Sequence, residues 1–397
     1  MMDVSDHGGP LRTRDSGEQR VTPLELFFDL VYVFAVTQLS HLLLDHLSIR
    51  GVLETLFLLL AVWWAWVYTA WFTNWFDPDR LPVRLVLVAV MLASLLMSVA
   101  IPEAFGERGL MFALAFVAIQ VGRTAFAVLA LYGASHPLSA TFWRILAWLV
   151  AAGVLWVAGG LVEGGARYVL WLLALAVDYA GPVMRYRTPG LGSSRTEEWT
   201  IEGTHFAERC QLFIIIALGE SILVTGTTFG EIEASAVTVC AFVVAFLGSV
   251  ALWWIYFARS AEAAREVFTS SEDPGRLGRS AYTYFHLPMV AGIIAVAAAD
   301  ELTVAHPGET GTLASITLTL GGTALFLAGH ALFKWAVFGV LPWSHAVAVA
   351  ALMALIPVGF AIPTLALSGA AGLIVVGLAV WATLAYGHMR STPRRAT

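Results

Sequence analysis

Long apolar runs follow one another along almost the whole chain, interrupted by short polar stretches rich in Gly, Pro and charged residues. A helix needs ~20 apolar residues to cross the hydrocarbon core of a bilayer, and about twelve such runs are present. They lie near 24–44, 53–73, 83–101, 110–132, 142–160, 166–182, 206–228, 235–258, 281–299, 313–335, 344–363 and 369–388. The fifth and sixth are parted only by Gly159-Gly-Leu-Val-Glu-Gly-Gly165, which reads as a tight glycine hairpin. The pattern predicts an all-α fold, a polytopic membrane helix bundle of about 12 transmembrane helices.

The polar positions inside the runs suggest a duplication. Glu25 opens the first run and Glu208 lies near the start of the seventh, and each run later carries a polar pair, Thr37-Gln38 and Glu220-Ser221. Trp63-Trp64 in the second run matches Trp253-Trp254 in the eighth. The simplest account is a parallel 6+6 internal repeat, an arrangement in which transporters place a site between the halves. It divides the chain into an N-terminal tail 1–22, a first six-helix half 23–182, a linker 183–204, a second half 205–389 and a C-terminal tail 390–397.

Composition agrees with the pattern: 59% of residues are hydrophobic and 13% charged, which excludes an ordinary soluble protein and makes the lipid bilayer the first partner. The basic residues set an orientation. Most of the 22 Lys and Arg gather in the tails and alternate loops; Arg50, Arg108 and Arg167 fall in the other loops, and Arg123 and Arg209 lie within runs. That bias predicts twelve spans with both termini cytoplasmic. The N-terminal stretch with Arg12, Arg14 and Arg20 then reads as a cytoplasmic tail rather than a secretory signal. Cys210 and Cys240 both lie in apolar runs, so no disulfide framework is implied.

Charges at bilayer depth are costly and default to function. The densest set is in His205-Phe-Ala-Glu-Arg-Cys-Gln-Leu-Phe-Ile-Ile-Ile-Ala-Leu-Gly-Glu-Ser-Ile-Leu223. At ~100° per residue, His205, Glu208, Arg209, Gly219 and Glu220 share a face, with Phe206 and Phe213 pointing elsewhere. Gly219 on that face would let a backbone or ligand approach. In the first run, Pro23 suits the first turn with Thr22 as cap, and Glu25, Asp29 and Tyr32 share a face at i, i+4 and i+7. Two carboxylates a turn apart need a cation between them or a proton on one. Both runs start on the same side, so Glu25, Asp29, His205, Glu208 and Arg209 can meet, with Glu220 ~18 Å further along the helix. A structural ion-pair network is the competing account.

The second run is aromatic. Trp64, Tyr68, Trp71 and Trp75 draw a stripe at helical spacing, which either packs the core or lines a cavity for a cation or planar ligand. It ends in Asn74-Trp-Phe-Asp-Pro-Asp-Arg80, where Asn74 and Asp77 are candidate Mg²⁺ ligands and Arg80 and Arg84 candidate phosphate holders, although such a sequence is more often a turn. Arg123 is the deepest unexplained cation and a candidate partner for Asp29 or Glu208. Asp178, His286, His330 and Lys334 are further intramembrane candidates, whereas Asp300-Glu301, at a run's outer end, reads as solvated. No phosphate-binding loop, nucleophile elbow, zinc-protease helix or nucleic-acid module is visible.

The segments Thr22-Pro-Leu-Glu-Leu-Phe-Phe-Asp-Leu-Val-Tyr-Val-Phe34 and His205 to Ser221, with the Trp-rich second run ending in Asn74 and Asp77, resemble the bacterial low temperature requirement A (LtrA) family. The resemblance implies a multi-pass protein of the bacterial inner (plasma) membrane, linked by name to growth in the cold and to no settled activity. It carries over Glu25, Asp29, His205, Glu208, Gly219 and Glu220 as the shared core.

Three readings follow. The leading one is a secondary transporter-like protein with a cytoplasm-facing site, in which Asp29 and Glu208 take up protons or cations and Glu220 extends the path. Its ligand would be a small molecule, ion or lipid. The alternative is an intramembrane metal-dependent enzyme acting on a lipid or isoprenoid (prenyl diphosphate) substrate, with Mg²⁺ on Asn74 and Asp77. The third is a non-catalytic scaffold or sensor. The sequence requires no cofactor, implies no nucleic acid and leaves the oligomeric state open.

Overall fold

Helix starts follow local capping chemistry. Thr22 and Glu25 form a reciprocal box: the Glu25 amide donates to Thr22 Oγ1 at 3.3 Å and the Thr22 amide donates to Glu25 Oε2 at 2.9 Å. Ser235 with Thr238 and Thr312 with Ser315 repeat the device. The computed structural model describes residues 9–12, 20–133, 136–194, 201–258 and 260–391. Arg14, Arg195, Arg259, Arg394 and Arg395, all among the basic residues of the tails and alternate loops, lie outside the described residues, as do 1–8, 13–19 and 392–397 of the two tails and 195–200 of the linker.

The helices are α1 Pro23–Asp45, α2 Ile49–Trp75, α3 Leu81–Ala100, α4 Gly109–Val117, α5 Arg123–Ala130, α6 Pro137–Leu161, α7 Gly165–Val183 and α8 Gly203–Glu231. They continue as α9 Ala236–Phe257, α10 Ser260–Thr269, α11 Pro274–Leu277, α12 His286–Ala305, α13 Leu313–Ile316, α14 Gly322–Phe338, α15 Trp343–Ala354, α16 Ile356–Gly359 and α17 Thr364–Ser391. Wider π-helical turns join α4 to α5 (Ala118–Gly122), α11 to α12 (Gly278–Tyr284) and α13 to α14 (Thr317–Gly321). Among the described residues there is no strand, and the fold is all-α.

Ten helices among the described residues are long and apolar enough to cross a membrane. Two of the twelve expected runs fall short of that measure. The Trp343–Gly359 stretch is short. The other, α7, carries Arg167 and Asp178, but turns both inward at 3% exposure while Val169, Leu172 and Leu173 stay exposed. A buried polar edge opposite an apolar face is what a lipid-facing helix in a bundle requires.

The chain divides into two compact units, Met1–Leu39 with Glu54–Arg209 and Glu272–Arg276, and Ser40–Leu53 with Cys210–Ser271 and Leu277–Thr397. The main division falls inside α8. In the first unit, Phe72, Trp75 and Phe76 pack with Val83, Leu87, Val128 and Phe142. A second aromatic group sets Phe57, Phe105, Phe112 and Phe116 around Trp156 and Trp171. The α6–α7 turn packs so closely that a Cβ on Gly159 would lie 2.3 Å from Trp171 Cδ1. Arg167, expected in a loop, is buried there and donates to the carbonyls of Val162 at 2.9 Å and Gly106 at 2.5 Å.

In the second unit α12 and α14 approach through small residues: a Cβ on Gly292 would lie 2.6 Å from the Gly322 oxygen, and one on Gly329 2.9 Å from the Met289 nitrogen. Asp300, expected to be solvated, is 6% exposed on α12, because the helix continues past it to Ala305. The tryptophan pairs matched in the repeat have unlike surroundings: Trp63 and Trp64 are 1% exposed, Trp253 and Trp254 46% and 47%. At Gly219 no neighbouring backbone approaches, since a Cβ there would meet nothing within 4 Å.

These glycines give a paired test. Gly159→Ala should lower stability by about 1–3 kcal/mol through overpacking against Trp171, whereas Gly219→Ala should be neutral or stabilise by up to about 1 kcal/mol. Thermal challenge followed by size-exclusion chromatography reads both; equal losses would refute the packing account.

Candidate functional site

The sequence segments that carry most charge converge in the first unit, where α1, α2 and the first turns of α8 meet. Glu25, Asp29, His205 and Arg209 are each at most 1% exposed. Arg209 is the central cation. Its Nη1 donates to Glu25 Oε1 at 3.2 Å and to Thr73 Oγ1 at 3.2 Å, and its Nη2 donates to Asp29 Oδ1 at 2.5 Å. The guanidinium also lies 5.5 Å from the Phe28 ring centroid and 5.8 Å from that of Trp66. The two carboxylates on one face of α1 are therefore neutralised by a cation between them.

Glu25 is saturated. Its Oε2 accepts from the Thr22 amide at 2.9 Å, the Thr22 hydroxyl at 3.0 Å and Arg12 Nη2 at 3.1 Å, while Oε1 accepts from Arg209 and from His205 Nε2 at 2.7 Å. A carboxylate offers about four lone-pair sites, so a further ligand would displace an existing one. Asp29 is different. Trp66 Nε1 at 2.8 Å and Arg209 both donate to Oδ1, and the buried Oδ2 has no hydrogen-bond partner among the described residues. Arg209 Nε is likewise buried without one.

The tautomer of His205 follows from Asn74. The Asn74 amide is oriented by backbone bonds at both ends: Oδ1 accepts from the Glu202 amide at 3.0 Å and Nδ2 donates to the Glu202 carbonyl at 2.9 Å. Nδ2 also lies 3.2 Å from His205 Nδ1, which must then accept, so the ring proton sits on Nε2 and is given to Glu25. Glu202 in turn caps α8, its Oε2 accepting from the His205 amide at 2.5 Å.

Arg12 entered the sequence reading only as a tail charge. The structure lays residues 10–12 along the end of α2, with the Arg12 amide donating to the Trp75 carbonyl at 2.9 Å and the Asp77 amide donating to the Pro10 carbonyl at 3.0 Å. No periodicity could have placed Arg12 there, because 9–12 belong to no helix.

The other expected residues have surroundings of their own. Tyr32 is buried with its hydroxyl 3.2 Å from Ser94 Oγ. Glu208 is half-buried on α8, and Glu220 is buried in the second unit. Arg123 does not pair with Asp29: its guanidinium donates to Thr69 Oγ1 at 2.7 Å and Gln120 Oε1 at 2.7 Å, 5.5 Å from the Tyr68 ring. Arg209 occupies the position by Asp29 instead. The aromatic stripe is packed, Trp64 stacking on Tyr179 at 3.9 Å, Tyr68 bonding to the Tyr186 hydroxyl and Trp71 lying 5.0 Å from Phe206.

Asn74 and Asp77 engage separate protein groups. Asp77 Oδ1 accepts from the Asp79 amide at 3.0 Å and its Oδ2 lies 3.5 Å from Arg80 Nε, the chemistry of a turn. Among the described residues no group of three or more His, Cys, Asp or Glu side chains is arranged to hold a metal ion.

Comparison with known proteins adds a family. The model of the bacterial low temperature requirement A protein (LtrA) family matches residues 20–380. An uncharacterized protein of Rhizobium meliloti (strain 1021) is 39% identical over 388 residues, 98% of this chain and 95% of that one. No solved structure matches significantly.

Removing the shared cation should be severe. Arg209→Met strands buried negative charge and should cost about 3–5 kcal/mol. Adding Asp29→Asn should recover part of that loss, a coupling of roughly 0.5–3 kcal/mol. A double variant no more stable than Arg209→Met in thermal unfolding would contradict the ion pair.

Proposed function

Taking as premise that the chain belongs to the bacterial low temperature requirement A family of multi-pass membrane proteins, we propose that it is a transporter-like protein that couples the movement of a small solute or ion to a proton or cation held by intramembrane carboxylates. The observation that carries this reading is Asp29 Oδ2, a buried oxygen without a hydrogen-bond partner among the described residues, on a carboxylate whose other oxygen is fully used. An ionisable group inside a membrane helix that keeps open acceptor capacity is suited to taking up and releasing a proton. Glu25, with its acceptors occupied, acts as the fixed anchor of α1, α2 and α8.

The basic-residue bias supports placement in the inner membrane with both termini cytoplasmic, so that α1 and α8 enter from the cytoplasmic side. Glu208 and Glu220 remain members of the proposed path, as one half-buried and one buried carboxylate on α8. The saturation of Glu25 also favours a second reading, a scaffold in which the cluster only locks helices together.

The two readings part on Asp29→Asn, which keeps the acceptor toward Trp66 and removes the titrating group. In proteoliposomes with an imposed proton gradient, transport predicts at least about a tenfold loss of proton flux at unchanged incorporation. Wild-type flux in that variant would remove Asp29 from the mechanism.

A further inference from the structure

A second carboxylate of different chemistry lies in the second unit. Asp300 on α12 is 6% exposed, and its Oδ2 accepts from Ser221 Oγ at 2.9 Å, which in turn accepts from Ser249 Oγ at 3.0 Å. Among the described residues no Lys, Arg or His lies within ion-pair distance of it, and Oδ1 has no hydrogen-bond partner. A carboxylate enclosed in a membrane helix without a basic neighbour holds either a proton or a metal cation.

The surroundings discriminate between these. Asp300 lines a cavity of about 30 Å³, room for one or two particles the size of a water molecule. The other polar residues lining it are Thr319, Thr323 and Ser368, all of which carry hydroxyls. Thr319 belongs to the π-helical turn Thr317–Gly321, and such turns interrupt regular α-helical hydrogen bonding, frequently at functional sites. Gly248 and Gly372 also line the space, and a Cβ on either would meet nothing within 4 Å. The lining thus combines one carboxylate, hydroxyl oxygens and an open volume of atomic size, within apolar helices.

We propose that Asp300, with the hydroxyls of Ser221, Thr319, Thr323 and Ser368, forms a site for one small monovalent cation, Na⁺ being the physiological candidate. Hard cations take oxygen ligands. The cavity's single carboxylate matches one positive charge, and dehydration of the ion is offset by neutral oxygens already held in place. Thr303 holds one of them, its Oγ1 lying 3.2 Å from Ser368 Oγ. This site would supply the coupling ion of the transport reading and in that sense rests on it, but binding is measured without transport, so either can fail alone.

The experiment is thermal unfolding of the full-length protein in detergent, followed by tryptophan fluorescence, in NaCl, LiCl, KCl and choline chloride at equal ionic strength. A cation that binds only the folded state raises the unfolding temperature saturably. Wild type should show a saturable rise of several degrees in Na⁺ that choline does not produce, and Asp300→Asn should abolish the dependence while remaining folded. Thr319→Val should raise the half-saturating Na⁺ concentration severalfold, which keeps the test decisive should Asp300→Asn fail to fold. Identical curves in all four salts, meaning that Asp300 holds a proton only, would overturn the proposal. An unchanged Na⁺ response in both variants would do so equally.

Discussion

The guanidinium of Arg209, set between Glu25 and Asp29, is the interaction on which the first unit depends. Hydrocarbon offers no water to solvate a charge, so three ionised groups persist there only if each finds its partners inside the protein. The fork geometry of arginine meets this need, since separate nitrogens reach separate carboxylates while the planar face rests near aromatic rings. Everything around it follows as satisfaction of what remains. Trp66 supplies an indole N–H to Asp29, Thr73 accepts from Arg209, and Thr22, Arg12 and His205 complete Glu25. The result ties a stretch outside any helix, two helices of the N-terminal region and the first turns of α8 into one polar knot.

Elsewhere in the chain buried charge is handled by other means. Arg167 spreads its donors over backbone carbonyls and so staples the α6–α7 turn. Arg123 uses neutral oxygens from Thr69 and Gln120. Three buried histidines of the second unit bond within pairs of side chains, His286 to Tyr256 at 2.7 Å and His330 to His345 at 2.9 Å. Each solution keeps a polar group in an apolar setting, but among the described residues Asp29 and Asp300 each leave a carboxylate oxygen facing no hydrogen-bond donor. Stability selects for saturation, so an unsaturated acceptor is the feature that needs a functional reason.

The helical architecture was legible because a bilayer imposes a length and a polarity on each span, and the apolar runs from 24–44 to 369–388 fold largely as helix, 344–363 as two short helices and a turn. The meeting of Glu25, Asp29, His205 and Arg209 was legible too, as charges at matching positions of two helices. Two features were not. Pairing is decided by side-chain reach rather than by periodicity, so Arg123 was an equal candidate for Asp29 until Arg209 was seen to fill the place. Burial at helix ends depends on which neighbours extend alongside, so Asp300 read as solvated although α12 continues beyond it. Arg12 is the extreme case: no pattern within 9–12 announces a partner thirteen residues on.

The difference between Asp178 and Asp300 shows why donor type rather than burial decides what a membrane carboxylate can hold. Both are enclosed, and among the described residues neither has a basic partner. Asp178 receives the indole N–H of Trp156 at 2.9 Å, a group that can donate a hydrogen bond but cannot ligate a metal. Asp300 receives a hydroxyl, and the other polar groups lining its cavity are hydroxyls as well. A hydroxyl can turn its proton away and present a lone pair, so the same shell that steadies a protonated acid can close around a cation once the proton has left. That reversibility requires neutral oxygen partners and an open volume together. Glu25, with its oxygens taken up mostly by fixed N–H donors and permanent cations, is suited to holding helices in place, whereas an oxygen left open, as at Asp29 and Asp300, is suited to exchanging what it holds.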